Sequence, residues 1–249
     1  GIREWGGYFE VNNTYGSVNF VDPTGIQLVP NKTIIDAPAS SALAYINYQY
    51  KDDDMAQIEQ TKKLPVTLLQ DPVYLKRLDC LTTTLPEETK TVSIYSLGER
   101  DALVWGNNKY LILAPTILLK KGTTSENLST ELLNHRLTLY YLSAEGDEDA
   151  NTLKLYLRYE ISGIGGSSTE ETDDKESWAS DYNVRYTNVS HVNLQPIISM
   201  YKSTHSGSEP EKVTVEYEYN NSTSSIPTIA KKQTKTVTYN LYTETSSNN

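Results

Sequence analysis

The stretch Leu153-Lys154-Leu155-Tyr156-Leu157-Arg158-Tyr159-Glu160-Ile161 alternates between two kinds of side chain with a period of two. The odd positions are apolar or aromatic, and the even positions are mostly charged. A strand with one buried face and one wet face shows this alternation, because successive side chains point to opposite sides of a sheet. The stretch therefore predicts a half-buried antiparallel strand.

The same period recurs on both sides of this strand. It predicts further strands at Val213–Tyr219, Val237–Leu241 and Ala42–Tyr50. Shorter candidates in the first thirty residues are Tyr8–Val11, Ser17–Val21 and Ile26–Pro30. Helical patterns are weak, and the best of them, residues 125–134, predicts one or two turns. The sequence therefore predicts an all-β protein.

The strand pattern changes near Leu78, where a polar, proline-bearing segment begins. Residues 1–78 hold about five short strands, which suit a small OB-like β-barrel. We expect residues 79–249 to form an antiparallel β-sandwich. Within it, residues 110–119 are apolar on both faces and predict a central strand that is bent or bulged at Pro115, and residues 163–180 predict a long loop.

The charge of the chain excludes some classes of partner. With 22 basic and 32 acidic residues, the formal charge is -10, which repels the phosphates of nucleic acids. The longest apolar run, residues 110–119, is far shorter than the roughly 20 residues that span a bilayer.

The chain starts at Gly1 without Met, and we interpret this as removal of an upstream segment such as a signal peptide. A single cysteine, Cys80, is expected to be a small buried hydrophobe.

Catalytic motifs are missing from the sequence. The three histidines, His135, His191 and His205, do not stand at metal-ligand spacing, and we found no nucleophile elbow, zinc-protease motif or phosphate-binding glycine loop. We therefore predict that the protein is not an enzyme and has no catalytic residues, no metal site and no cofactor.

One acidic segment has the opening spacing of a calcium loop. Asp147, Asp149 and Asn151 stand at alternate positions, as oxygen ligands do in such loops. The later ligand positions are Leu153 and Arg158, which cannot complete the site. We interpret the segment as a solvated hairpin turn, and we interpret residues 52–54, three aspartates, in the same way.

Tyrosine is unusually frequent, with 19 Tyr against 2 Phe. Aromatic rings can stack on the apolar face of a sugar, so exposed rings are candidates for glycan contact. The candidates are Trp105, Tyr140, Tyr156, Tyr186 and Trp178. Trp105 stands in an apolar context that favours the core, whereas Trp178 lies in a polar loop. Trp178 is therefore the candidate ligand-binding residue.

Particular segments resemble the NigD-like family of exported lipoproteins of Gram-negative gut anaerobes. Gly25-Ile-Gln-Leu-Val-Pro30 and Ala44-Tyr-Ile-Asn-Tyr48 resemble its amino-terminal half. His135-Arg-Leu-Thr-Leu-Tyr-Tyr141, the strand Leu153–Tyr159 and Val192-Asn-Leu-Gln195 are similar to its carboxy-terminal domain. The resemblance implies an OB-like barrel followed by a β-sandwich, a lipid anchor upstream of Gly1 and, by the family's name, an association with bacteriocin-related gene clusters. It carries over no functional residues.

Two functions fit these expectations. The favoured one is a protein-interaction module of the cell envelope, periplasmic or on the outer membrane or cell surface. The alternative is a glycan-binding module that serves polysaccharide uptake. A sugar platform needs two or three coplanar rings on one face, whereas a protein-binding surface needs a contiguous mixed patch or a free sheet edge.

Overall fold

The computed structural model describes residues 1–14, 16–98, 100, 102–142, 151–166 and 176–243. Among the described residues, 46% lie in strands and 14% in helices, so the all-β prediction is confirmed. The chain divides into a first unit, Gly1–Arg77 with Trp105–Asn107, and a second unit formed by the other residues. That residues 1–78 and 79–249 are separate domains stays a prediction.

The first unit contains a closed five-stranded barrel, as expected from the sequence. Its strands are β1 (Ile2–Thr14), β2 (Ser17–Val21), β3 (Gln27–Pro30), β4 (Leu43–Lys51) and β5 (Lys63–Leu68). They are paired in the order β1-β2-β3-β5-β4, and a β1–β4 ladder closes the ring. Two short strands follow, β6 (Val73–Tyr74) and β7 (Lys76–Arg77), of which β6 pairs with β4.

The alternation of apolar and polar residues gives each strand of the barrel one face for its core. Phe9, Phe20, Leu28, Ile46 and Val66 point into its core and are almost fully buried. Between β4 and β5 the chain makes a 3₁₀ turn, Asp52–Gln57, and a short helix α1, Ile58–Thr61. The aspartates expected in a turn do form one.

The second unit holds the remaining strands and two helices. The strands are β8 (Cys80–Leu81), β9 (Ala102–Trp105), β10 (Tyr110–Leu113), β11 (Thr116–Lys120), β12 (His135–Tyr141), β13 (Thr152–Ile161), β14 (Tyr182–Thr187), β15 (Ser190–Asn193), β16 (Lys212–Asn220) and β17 (Lys232–Asn240); the last residue of β9 belongs to the first unit. The helices are α2 (Leu128–Leu132) and α3 (Gln195–Thr204), and a 3₁₀ turn spans Ser177–Asp181. A five-stranded sheet has the order β17-β16-β13-β12-β8, and separate ladders join β10 to β15 and β11 to β14.

Strand β13 supplies the centre of the second unit's core. Leu153, Leu155, Leu157, Tyr159 and Ile161 are all buried in one cluster, as the alternation predicts. The cluster also takes in apolar residues of β10, β11, β16, β17 and α3. Cys80 is partly buried against this core, and burial raises the pKa of its thiol to about 12.

Three features of the second unit differ from the expectations. β13 is antiparallel to β12, as predicted, but its other neighbour, β16, runs parallel to it, because the fifty residues between β13 and β16 provide the crossover that parallel neighbours need. Pro115 does not bend one strand but separates β10 from β11, which pair with different strands. Helix α3 was not expected; it buries Ile197 and Tyr201, one turn apart on one face.

Residues 163–180 do not form a loop throughout. The 3₁₀ turn Ser177–Asp181 occupies their end, and residues 167–175 lie outside the described residues. None of the helices in the described ranges is long and apolar enough to cross a bilayer.

The even-numbered face of β13 is not wet, because an ion cluster covers it. The Arg158 guanidinium donates to a Glu216 carboxylate oxygen at 2.7 Å and lies 3.7 Å from Glu218. The Lys232 ammonium lies 3.2 Å from Glu218 and donates to the carbonyl and hydroxyl oxygens of Thr91, at 2.8 and 2.6 Å. These partners offset the cost of burying the charges, and burial lowers the pKa of Lys232.

Replacing Lys232 with Met should therefore destabilise the protein strongly. The change leaves the buried Glu218 carboxylate without its ammonium partner, which costs about 3 kcal/mol. The matched control is Lys231→Met, because Lys231 is an exposed neighbour and its loss should change stability by less than about 0.5 kcal/mol. Urea unfolding measures both, and equal midpoints for the two variants would contradict the role of the cluster.

Candidate functional site

A cleft opens at one end of the barrel in the first unit, and we call it the barrel cleft. It forms where β1 and β4 continue as a ladder in which Trp5 pairs with Tyr48 and Gly7 with Ile46. The cavity has a volume of about 430 Å³. It is lined by Trp5, Gly7, Tyr8, Phe9, Asp22, Pro23, Ile26, Leu28, Tyr48, Tyr50, Met55, Ile58, Leu64 and Trp105. These residues make its wall largely apolar and aromatic.

The rings of the barrel cleft are packed at angles to one another. Phe9 and Tyr48 meet edge to face, with centroids 5.7 Å apart and planes at 76°. Tyr48 and Tyr50 are 6.2 Å apart and tilted by 37°. The Trp105 indole donates from Nε1 to the carbonyl oxygen of Tyr8 at 3.0 Å, which fixes that ring against β1. The rings therefore build a concave wall and not a flat platform.

The polar groups of the barrel cleft are already engaged or neutral. The Asp22 carboxylate accepts hydrogen bonds from the Thr24 amide and hydroxyl, at 2.9 and 2.8 Å, and from the Ile26 amide at 2.8 Å. This carboxylate shapes a turn. Burial raises the pKa of Tyr48 to about 12, so its hydroxyl stays protonated at neutral pH. The arrangement favours binding of an apolar group over acid–base chemistry.

The rim of the barrel cleft is exposed and apolar. The Trp5 side chain is 63% exposed and that of Met55 is 46% exposed. Large exposed apolar side chains beside a cavity are typical of surfaces that bind another molecule. Trp5 was not among the candidates from the sequence, although its alternation with Gly7 and Phe9 extends the strand pattern of Tyr8–Val11 towards the first residue.

The aromatic candidates from the sequence lie elsewhere, apart from Trp105. Trp178 is in the second unit, partly buried against the core, and meets Tyr182 edge to face at 6.1 Å. Tyr140 and Tyr156 are buried, and Tyr186 is partly buried. The ring that Trp178 meets, Tyr182, was not among the candidates, and the role of Trp178 in ligand binding stays a prediction.

His135 belongs to a buried chain of hydrogen bonds in the second unit. Its Nε2 lies 2.8 Å from a carboxylate oxygen of Glu131, and its Nδ1 is hydrogen-bonded to the Tyr159 hydroxyl. The side chain of His135 is 1% exposed and Tyr159 is equally buried, so a substrate cannot reach them. The chain of hydrogen bonds joins α2 to β12 and β13 and is structural.

The other two histidines pack against tyrosine rings in the second unit. His191 is buried and meets Tyr110 edge to face, and His205 stacks on Tyr201. Within the described residues no group of three His, Cys, Asp or Glu side chains could hold a metal ion. Asp147 and Asp149, from the calcium-like segment, lie outside the described residues.

Comparison with known proteins gives a shared fold. No protein-family model matches the sequence, and no curated protein is significantly similar to it. A candidate lipoprotein from Bacteroides fragilis is 21% identical, with a TM-score of 0.72 over 97% of this chain and 99% of that one. An uncharacterised protein from Parabacteroides merdae is 14% identical, with a TM-score of 0.55 over 96% and 100%.

A NigD-like immunity protein from Bacteroides caccae is also among the matching structures. It is 11% identical, with a TM-score of 0.47 over 92% of this chain and 93% of that one. The solved structures thus include both kinds of protein that the sequence resemblance named. The fold is shared. At identities below 25%, these likenesses concern the fold alone.

The burial of His135 predicts a pH-dependent stability. Burial lowers the pKa of His135 below its ordinary 6.5, against an opposing effect of Glu131. The unfolded chain therefore binds a proton that the folded chain resists, and the free energy of unfolding should decrease as the pH falls through 6.5. Urea unfolding between pH 7.5 and 5.5 measures this slope. His135→Gln should flatten it, and an unchanged slope in that variant would refute the assignment.

Proposed function

We propose that this protein is a non-catalytic envelope protein of NigD-like type whose first unit binds a protein partner through the barrel cleft. The observation that carries the proposal is the concave aromatic wall with exposed Trp5 and Met55 at its rim. Its polar groups are occupied by local hydrogen bonds or are neutral, so the site offers apolar contact and shape.

Physical chemistry supports a protein partner for such a site. Interface hot spots are enriched in Trp and Tyr, and they lie in pockets from which water is excluded. Trp5 and Tyr50 bring large rings whose conformational freedom is already limited by the strands that carry them. A side chain of the partner that enters the cavity would be enclosed by these rings and by Met55.

Glycan binding is the second candidate. Barrels of the OB type bind oligosaccharides in some proteins, and aromatic rings line this cleft. A sugar platform needs coplanar rings, whereas the neighbouring pairs here are inclined by 76° and 37°. These angles favour a side chain over the flat face of a sugar.

Export is part of the proposal. The likeness in fold to a candidate lipoprotein of Bacteroides fragilis supports an exported protein. We propose a lipid-anchored location in the periplasm or at the outer membrane or cell surface. The formal charge of -10 fits this proposal, because it disfavours direct adsorption to anionic lipid.

Trp5→Ala should weaken binding of the protein partner. The test is crosslinking of the full chain in envelope extract of the source organism, followed by mass spectrometry and affinity measurement on the captured protein. Loss of an aromatic side chain that the partner covers costs about 2 kcal/mol, so the dissociation constant should rise roughly 30-fold. Because Trp5 is exposed, the variant should keep its fold.

The matched control is Leu133→Ala, which removes an 84% exposed apolar side chain from the second unit. Its binding should equal that of the parent protein. Capture that is unaffected by Trp5→Ala would refute the barrel cleft as the binding site. Binding on a glycan array that disappears with Trp5→Ala would establish the sugar alternative instead.

A further inference from the structure

The edge of β1 beside the barrel cleft has backbone groups that pair with no strand in the described part of the chain. The Gly1 carbonyl accepts from the Asp52 amide at 3.0 Å, and the Val11 amide donates to the Ala42 carbonyl at 2.9 Å. Both pairs continue the β1–β4 register, so the odd residues of β1 are the ones hydrogen-bonded to β4. The even residues therefore turn their backbone groups to the opposite side.

On that opposite side, β2 covers only part of β1. The β1–β2 ladder runs from Glu10 to Thr14. The Tyr8 carbonyl is covered by the Trp105 indole. Ile2, Glu4 and Gly6 pair with β4 but have no second neighbouring strand on this side within the described ranges, and residues 1–6 are all exposed. Three residues thus present amides and carbonyls to solvent at every second position.

We propose that an extended segment of the partner adds to this edge as a further strand, continuing the barrel sheet next to β1. The inference rests on the proposed function and specifies how the partner binds. An extended backbone matches a row of donors and acceptors that repeats every two residues, about 7 Å apart. Exposed edges are usually protected by proline, bulges or charged side chains. Ile2–Gly6 contains no proline or bulge, and of its two charged side chains Arg3 is paired with Asp52.

The edge and the barrel cleft are continuous. Side chains of an added strand point to the same face as the β1 residues opposite them. Trp5, Gly7 and Phe9 face the cleft, and Gly7 has no side chain to fill the place between the two rings. The partner residue opposite Gly7 therefore points into the cavity, and an apolar side chain fits there.

The charge around the edge of β1 determines which residues fit in the flanks of the partner segment. Residues 1–7 and 51–59 carry two basic side chains, Arg3 and Lys51, against five acidic ones. The acidic ones are Glu4, Asp52, Asp53, Asp54 and Glu59. Arg3 is already paired with Asp52 at 3.0 Å. The surrounding field is therefore negative, and the partner segment is extended, apolar at its anchor and basic in its flanks.

The test uses a phage-displayed library of random twelve-residue peptides selected on the full chain. Glu4→Pro removes an outward amide and places a ring on the edge, but leaves the β1–β4 hydrogen bonds of Arg3 and Trp5 intact. Glu4→Gln removes the same charge and keeps the amide. We expect selected peptides to be basic with apolar anchors, and to bind Glu4→Pro about tenfold more weakly than Glu4→Gln.

The outcomes distinguish binding at the edge of β1 from binding in the barrel cleft. Peptides that need Trp5 but bind Glu4→Pro and Glu4→Gln equally would overturn strand addition and leave the barrel cleft as the site. Peptides insensitive to Trp5→Ala would overturn the proposed function. Failure to select any peptide would also overturn strand addition. If Glu4→Pro does not fold, a selected peptide is instead N-methylated at one backbone amide at a time. Its affinity for the protein should fall when every second residue is methylated, and an equal effect at all positions would refute the inference.

Discussion

The closure of the barrel depends on one strand that serves two neighbours. Strand β1 has thirteen residues, and it pairs with β4 over Ile2–Glu10 and with β2 over Glu10–Thr14. Because the two ladders meet near Glu10, the barrel is closed at one end of β1 and open at the other. The aromatic wall, the cavity and the free edge all lie along the part of β1 that has β4 as its only neighbour in the described sheet.

This arrangement explains why the apolar face of β1 and β4 continues beyond the closed core. Inside the barrel, Phe9 and Ile46 are covered by the other strands. Further along the ladder, Trp5 and Tyr50 have the same orientation and line the cavity. The turn Asp52–Gln57 and helix α1 cover one side with Met55 and Ile58. The space that is left is a cavity whose wall consists of apolar and aromatic side chains, as in a protein core.

The sequence predicts what depends on local alternation and misses what depends on distant partners. The buried face of β13 and the strands β4, β16 and β17 follow from period two alone. The parallel pairing of β13 with β16 depends on a long crossover, which no local pattern encodes. Trp5 was missed for a related reason. The sequence pattern shows that it lies in a strand, but its exposure depends on how far β2 extends along β1, and that extent is set only in the folded protein.

Buried polar networks and the barrel cleft use polar groups in opposite ways. In the second unit, Lys232 and Glu218 satisfy each other, and His135 does the same with Glu131, so these groups stabilise one packing arrangement and offer nothing to a ligand. At the edge of β1, the backbone amides and carbonyls of Ile2, Glu4 and Gly6 face solvent, where water satisfies them at little cost. Replacing that water with another backbone is nearly neutral in hydrogen-bond energy, so affinity must come from apolar burial nearby. The barrel cleft provides that burial on the face next to the edge.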